Sequence, residues 1–363
     1  MPALPRRVMN ATVFLYRTEA EARSGSPTGA SGFIVGLRPL REELKINGHP
    51  TAWHLYAVTA GHVIAQDARV MRWTIWPAGI HSPTITTGDV FTPPWISHEV
   101  ADLAIAPLGM TVSPPIHYRL LPFIDSAWLA ADQNIAANFG GQLTVGDEVF
   151  MVGRFSGVTD GPKNNPVARF GHIATLPLEI PHAPFYRHPS YLVEMRSINQ
   201  FSGSPVFSYV PKTEHLKETD REEAAKNITP AEAVDAVKRN VLVLGVDTGH
   251  LREVIEGTAD DPKEGRTFKV KFPMNSVMAV VTPADYIMEM FNMPDLLKHR
   301  EESEDVLAKS FAESNVELDF DAGSEDDPPM TRDAFFDALR RASRPTGENS
   351  EAPRTEGNSE TSE

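Results

Sequence analysis

Residues 198–207 read INQFSGSPVF, a tight Ser202-Gly203-Ser204-Pro205 turn feeding an apolar strand. Ser, Gly and Pro are ordinary turn formers, so this stretch alone specifies only a turn. Two others upstream change its meaning. HLYAVTAGHV, residues 54–63, is an alternating strand ending in Thr59-Ala60-Gly61-His62, and VADLAIAPL, residues 100–108, opens an apolar strand with Asp102. A histidine at a strand end is commonly structural and an aspartate at a strand start is commonly a cap. The combination is more specific. A serine hydroxyl is a poor nucleophile near neutral pH until an imidazole accepts its proton, and that imidazole needs a carboxylate to hold its tautomer and stabilise its cation. His62, Asp102 and Ser202 supply those three parts, 40 and then 100 residues apart.

TAGH, DLA and SGSP, in the order His, Asp, Ser, resemble the motifs of the trypsin/chymotrypsin-like serine peptidases, in particular disulfide-free bacterial members. The α/β-hydrolases run Ser, acid, His, and this chain has no G-x-S-x-G elbow. Weaker matches fall in the same order. Gly29–Val35 is similar to the strand before the family's histidine, and Val145–Val149 with Val152-Gly153 to a second-barrel strand. Leu244–Thr248, with Gly249 after it, is similar to the strand that pairs with the substrate backbone, and Val281-Thr282-Pro283 to the entry of the closing helix. The resemblance covers about residues 10–290.

It implies a serine endopeptidase working through an acyl-enzyme on a protein or peptide substrate, without a cofactor. Ser202 would be the nucleophile, His62 the base and Asp102 its orienting group. Backbone N–H groups of Ser202 and Gln200 would form the oxyanion hole, and Thr248 and Gly249 would bind substrate. Arg196, six residues before Ser202, would line the specificity pocket and favour an acidic side chain. One position departs from the family: Gln200 stands where a glycine is usual, and a side chain there opposes positive φ. The alternative reading is therefore a catalytically inactive trypsin-like fold acting as a peptide- or protein-binding module.

Eleven short apolar runs between residues 11 and 281, separated by Gly, Pro, Asn and Asp, point to an all-β body with mostly antiparallel pairing. With the resemblance they imply two antiparallel six-stranded β-barrels of the chymotrypsin-like kind within 8–298, the first over about 8–120 and the second over about 130–292. A helical insertion is expected at 211–240, and a C-terminal helix over 283–291, capped by Thr282. Beyond it an acidic, largely disordered tail is expected at 299–363, with a short amphipathic helix at 331–342. Residues 301–363 hold 18 acidic and 6 basic side chains, most of the chain's net charge of −15. That imbalance, without a basic stripe, argues against nucleic-acid binding. The tail helix and the insertion are the candidate docking segments for a partner.

The 363 residues contain no cysteine, which removes disulfides, thiolate nucleophiles and Cys-based zinc sites. Twelve histidines invite a metal, but none forms HExxH or an i,i+4 pair backed by a carboxylate. Neither GxxxxGK[ST] nor a post-strand GxGxxG occurs, so nucleotide binding lacks a motif. No window approaches 18 apolar residues, so a cytoplasmic protein without membrane attachment is expected.

Overall fold

The structure is a computed structural model that describes residues 4, 6–46, 49–73, 89–112, 123–130, 143–155, 164–180, 188–195, 200–209, 241–261 and 266–313. The insertion 211–240, the tail helix 331–342 and Arg196 lie outside the described residues.

The N-terminal half begins with α1 (Arg6–Ala11), β1 (Thr12–Tyr16) and α2 (Glu19–Ser24). Thr18 and Glu21 form a reciprocal capping box on α2, which Gly25 ends in a left-handed conformation. Then follow β2 (Ala30–Leu37), the two-residue strands β3 (Lys45–Ile46) and β4 (His49–Pro50), β5 (Ala52–Thr59) and the short helix α3 (Gly61–Ala65). The rest of this half is β6 (Val70–Trp73), β7 (Asp89–Phe91), β8 (Ile96–Ser97), β9 (Ala104–Val112) and β10 (Ile124–Asp125). Eight of these strands make one curled sheet in the order β7-β6-β1-β2-β5-β9-β8, with β10 added parallel to β2.

Every residue of β2 and β5 is buried, and the two-residue period of a strand explains how. Ile34, Trp53, Leu55 and Ala57 fill the sheet's own interior. Phe33, Val35, Leu37, Tyr56 and Val58 point the other way, into a core shared with the C-terminal half. The sheet is sandwiched, so the one-sided alternation expected for residues 54–59 is corrected: both faces of β5 are buried.

The C-terminal half contains β11 (Glu148–Gly153), β12 (Val167–Leu178), β13 (Ser190–Glu194), β14 (Pro205–Tyr209), β15 (Val241–Asp261) and β16 (Arg266–Pro283). They close into the expected six-stranded antiparallel barrel, in the order β11-β12-β13-β16-β15-β14. Val149, Met151, Val193, Phe201, Val206 and Leu244 are among its interior residues. Phe150, Val152, Phe207 and Val243 face outward into the shared core, where the Phe150 and Phe207 rings stack with centroids 4.8 Å apart. β15 and β16 continue beyond the barrel as a hairpin paired as far as Asp261 and Arg266. The sequence reading found only Val241–Val246 and Val277–Val281, because charged residues interrupt the apolar pattern of the arm.

Two helices end the described chain. In α4 (Ala284–Phe291) the cap position is Pro283, which has no side-chain donor or acceptor, so the expected Thr282 cap is corrected. Thr282 is instead fully buried, its hydroxyl 3.4 Å from that of Thr248. α4 buries Ala284, Ile287, Met290 and Phe291 in the shared core, with Phe291 against Tyr56 at 4.9 Å between centroids. α5 (Pro294–Glu313) runs across residue 299, where the acidic tail was expected to begin. Its Glu304 is wholly buried. The carboxylate accepts from the backbone N–H groups of Leu40 and Arg41, both at 2.9 Å, and lies 2.7 Å from His54 Nε2 on β5. Burial alone pushes the Glu304 carboxyl up, but the His54 ring and the two N–H donors outweigh it and hold it below the usual glutamate range.

Because that pKa is depressed on folding, the stability it contributes is present above the ordinary glutamate value and lost as pH falls through the folded one. Glu304→Ala strips a buried histidine and two N–H groups of their acceptor, and should cost about 3–5 kcal/mol in urea unfolding at neutral pH. Glu304→Gln should flatten the loss of stability expected on acidifying the wild type below about pH 4.

Candidate active site

Antiparallel pairing of β5 with β9 sets Thr59 opposite Ala104, so the end of one strand lies beside the start of the other. His62, just after β5, and Asp102, just before β9, therefore emerge at the same edge. The cap position of α3 is Ala60, which offers no side-chain acceptor. Asp102 takes over that role from across the sheet: Oδ1 accepts the His62 backbone N–H at 2.6 Å, and Oδ2 lies 2.6 Å from His62 Nδ1. Both oxygens of a nearly buried carboxylate are thus engaged by one residue. Gly61 makes the approach possible, since a Cβ there would sit 3.0 Å from Oδ1 and 3.1 Å from Leu103 N. The His62 side chain keeps about a quarter of its surface open, at 26%.

Two further histidines hold the Asp102 segment, and the sequence reading assigned neither to the site. His98 Nδ1 accepts from the backbone N–H groups of Val100 and Ala101, at 3.0 and 2.9 Å. His188 Nε2 lies 3.4 Å from the Asp102 backbone N–H, and its Nδ1 is 3.2 Å from the Pro189 carbonyl. An acceptor at Nε2 and a donor at Nδ1 describe one neutral tautomer. Burial pushes the His188 ring below the usual histidine range and His98 adds to that, while the Pro189 carbonyl and Asp102 pull the other way. Both rings meet Tyr286 of α4 edge-on, at 5.4 and 5.0 Å between centroids. His98 was discoverable from its place four residues before Asp102. Nothing local marked His188, which is 86 residues away.

The Ser202 turn is bonded to both halves. Gly203 N–H donates to Asp247 O at 2.7 Å, and Asp247 N–H returns to Ser204 O at 2.9 Å. On the other side Ser31 N–H, on β2, donates to Ser202 O at 3.0 Å. Gly203 has φ of 89°, and a Cβ on it would stand 2.0 Å from Ser31 O and 2.3 Å from Thr59 Oγ1. Only glycine fits, and the turn rests on the ends of β2 and β5, three residues before His62. Gln200 adopts φ of 86°, the region expected to require glycine.

Thr248 is buried, with its hydroxyl 3.2 Å from Val280 O, so its side chain is committed internally. Gly249 has φ of 148°, with nothing within 4 Å of where a Cβ would stand. Among the described residues no group of three or more His, Asp or Glu side chains could hold a metal ion, and no helix is long and apolar enough to cross a membrane.

No protein-family model matches the chain, and no curated protein matches it. Solved structures do. The apo MamO protease domain from Magnetospirillum magneticum is 14% identical over 80% of this chain and 100% of its own, with a TM-score of 0.40. The HtrA-type protease AlgW with a decapeptide is 10% identical over 82% of this chain and 69% of its own, at 0.37. The Rv3671c protease in its inactive form is 14% identical over 79% and 91%, at 0.35. The fold stands on the strand order itself. A closed six-stranded antiparallel barrel beside a curled, mostly antiparallel sheet, completed by a C-terminal helix, is the trypsin-like arrangement.

A neutral His188 accepts the Asp102 N–H, and its depressed pKa means that its stabilisation is lost as pH falls through the ordinary histidine range. His188→Phe keeps a ring against Tyr286 but leaves that N–H unpaired. It should cost about 1–3 kcal/mol at neutral pH and reduce the slope of stability against pH between about 7 and 5, both read by urea unfolding.

Proposed function

We propose that this protein is a serine endopeptidase in which Ser202 attacks the scissile carbonyl and His62 takes, then returns, the proton. Asp102 holds His62 in the tautomer that presents Nε2. The observation that carries the reading is the His62–Asp102 pair, with both carboxylate oxygens at 2.6 Å from one histidine, on the rim where the Ser202 turn is seated. A partly open imidazole with its Nδ1 occupied by a buried carboxylate is suited to general-base work. Attack by Ser202 Oγ forms a tetrahedral adduct, whose oxyanion would be met by the N–H groups of Ser202 and Gln200. Collapse expels the amine, protonated by His62, and water repeats the sequence on the acyl-enzyme.

The substrate chain would lie extended along Thr248 and Gly249 as an added strand. Open space beside Gly249 supports that placement. Arg196, as wall of the specificity pocket, would select an acidic side chain before the cleaved bond, so Arg196→Ala should lose cleavage after Glu or Asp. Cleavage after Arg or Lys in the wild type would end that assignment.

A fluorophosphonate probe tests the nucleophile. The wild type should label, Ser202→Ala should not, and His62→Ala and Asp102→Asn should label at least about a thousandfold more slowly. No labelling of the wild type would favour a peptide-binding module.

A further inference from the structure

Gln200 is a residue with a side chain in a conformation that normally belongs to glycine. Such a backbone is strained and persists only where its surroundings over-determine it. At Gln200 those surroundings are specific. Arg154, at the end of β11, is 1% exposed and reaches across to the loop before β2. Its Nη1 donates to Gln200 Oε1 at 2.5 Å and to Pro27 O at 3.0 Å, and its Nη2 donates to Ser26 O. Gln200 Nε2 donates to the same Pro27 carbonyl, so guanidinium, amide and carbonyl close a triangle. The guanidinium lies over the rings of Phe14 and Tyr16, at 5.8 and 5.4 Å, which fix it from the other side.

The Gln200 main chain is held separately. Ser31, wholly buried on β2, accepts the Arg154 backbone N–H at its Oγ, at 2.8 Å. It passes its own proton to Gln200 O, also at 2.8 Å. The Ser31 backbone N–H meanwhile holds Ser202 O. One serine thus orients the carbonyls of both residues whose N–H groups would make the oxyanion hole. The side-chain amide and the carbonyl oxygen of Gln200 are thus both tied, on either side of the strained backbone.

We propose that Arg154 and Ser31 are positioning residues that lock Gln200 into a glycine-like backbone and so aim its N–H beside that of Ser202. This rests on the serine-peptidase reading above. It explains how the chain can lack the usual glycine and still present two donors, and it predicts a dependence on Arg154 that a merely structural arginine would not have. With glycine at the position, positive φ needs no external clamp.

A double-mutant cycle on the full chain, read as the rate of fluorophosphonate labelling of Ser202, tests this. Arg154→Met in the native background should slow labelling by at least about tenfold, towards the 10²–10³ typical of a lost oxyanion donor. In the Gln200→Gly background the same substitution should slow it less than about threefold. Equal losses in the two backgrounds would overturn the proposal. Should Arg154→Met fail to fold, Ser31→Ala runs the same cycle.

Amide hydrogen exchange over residues 200–209 reports on the clamp without activity. Arg154→Met and Ser31→Ala should each speed exchange there, and unchanged protection would overturn the clamp whether or not the protein labels. A wild type that fails to label, with exchange responding as expected, would overturn Ser202 as nucleophile while upholding the clamp.

Discussion

A carboxylate taken out of water must be repaid by hydrogen bonds at nearly every lone pair, and Asp102 sets the geometry of the N-terminal half through that demand. Its oxygens are met by the backbone and the ring of His62, at the start of an α3 that has no side-chain cap of its own, and a Cβ at residue 61 would crowd that contact. The segment that delivers Asp102 is itself held by ring nitrogens of His98 and His188. Both rings lean on Tyr286, so the C-terminal helix α4 takes part in placing a carboxylate far from it in sequence.

The same economy joins the two halves. Neither sheet covers its outer face alone: Phe33, Val35, Tyr56 and Val58 from one meet Phe150, Phe207 and Val243 from the other, with Phe291 and Ile287 closing the layer. The Ser202 turn crosses that boundary, with one carbonyl held by β2 and one N–H by β15. Relative movement of the halves would pull directly on it. A site assembled in this way is as rigid as the packing between the sheets.

Much of this was legible in the chain. Short apolar runs gave every barrel strand a foothold, and His62, Asp102 and Ser202 stood out because each ends or begins such a run. What escaped was contact between remote residues. His188 met Asp102, and Arg154 met Gln200, across 86 and 46 positions with no local periodicity to announce either. Gln200 was read as a departure from glycine, correctly by residue type, but its compensation lies in buried polar bonds that patterns of hydrophobicity do not encode. The hairpin arm of β15 and β16 was missed because alternation broken by charge looks like a loop, whereas its ten registered backbone pairs, from Arg252–Asn275 to Asp261–Arg266, need no apolar pattern.

The bond between His54 and Glu304 spans 250 residues, and it ties order of synthesis to order of completion. A ribosome adding about 5–20 residues per second releases β5 long before the acid that covers it, an interval of roughly ten seconds to a minute. Through that interval His54 and the N–H groups of Leu40 and Arg41 lack their shared acceptor, and the strand leading to His62 lacks its last support. The first half of the nascent chain is thus completed by the last described helix, and His54, eight positions before His62, gains its partner only once residue 304 has been made.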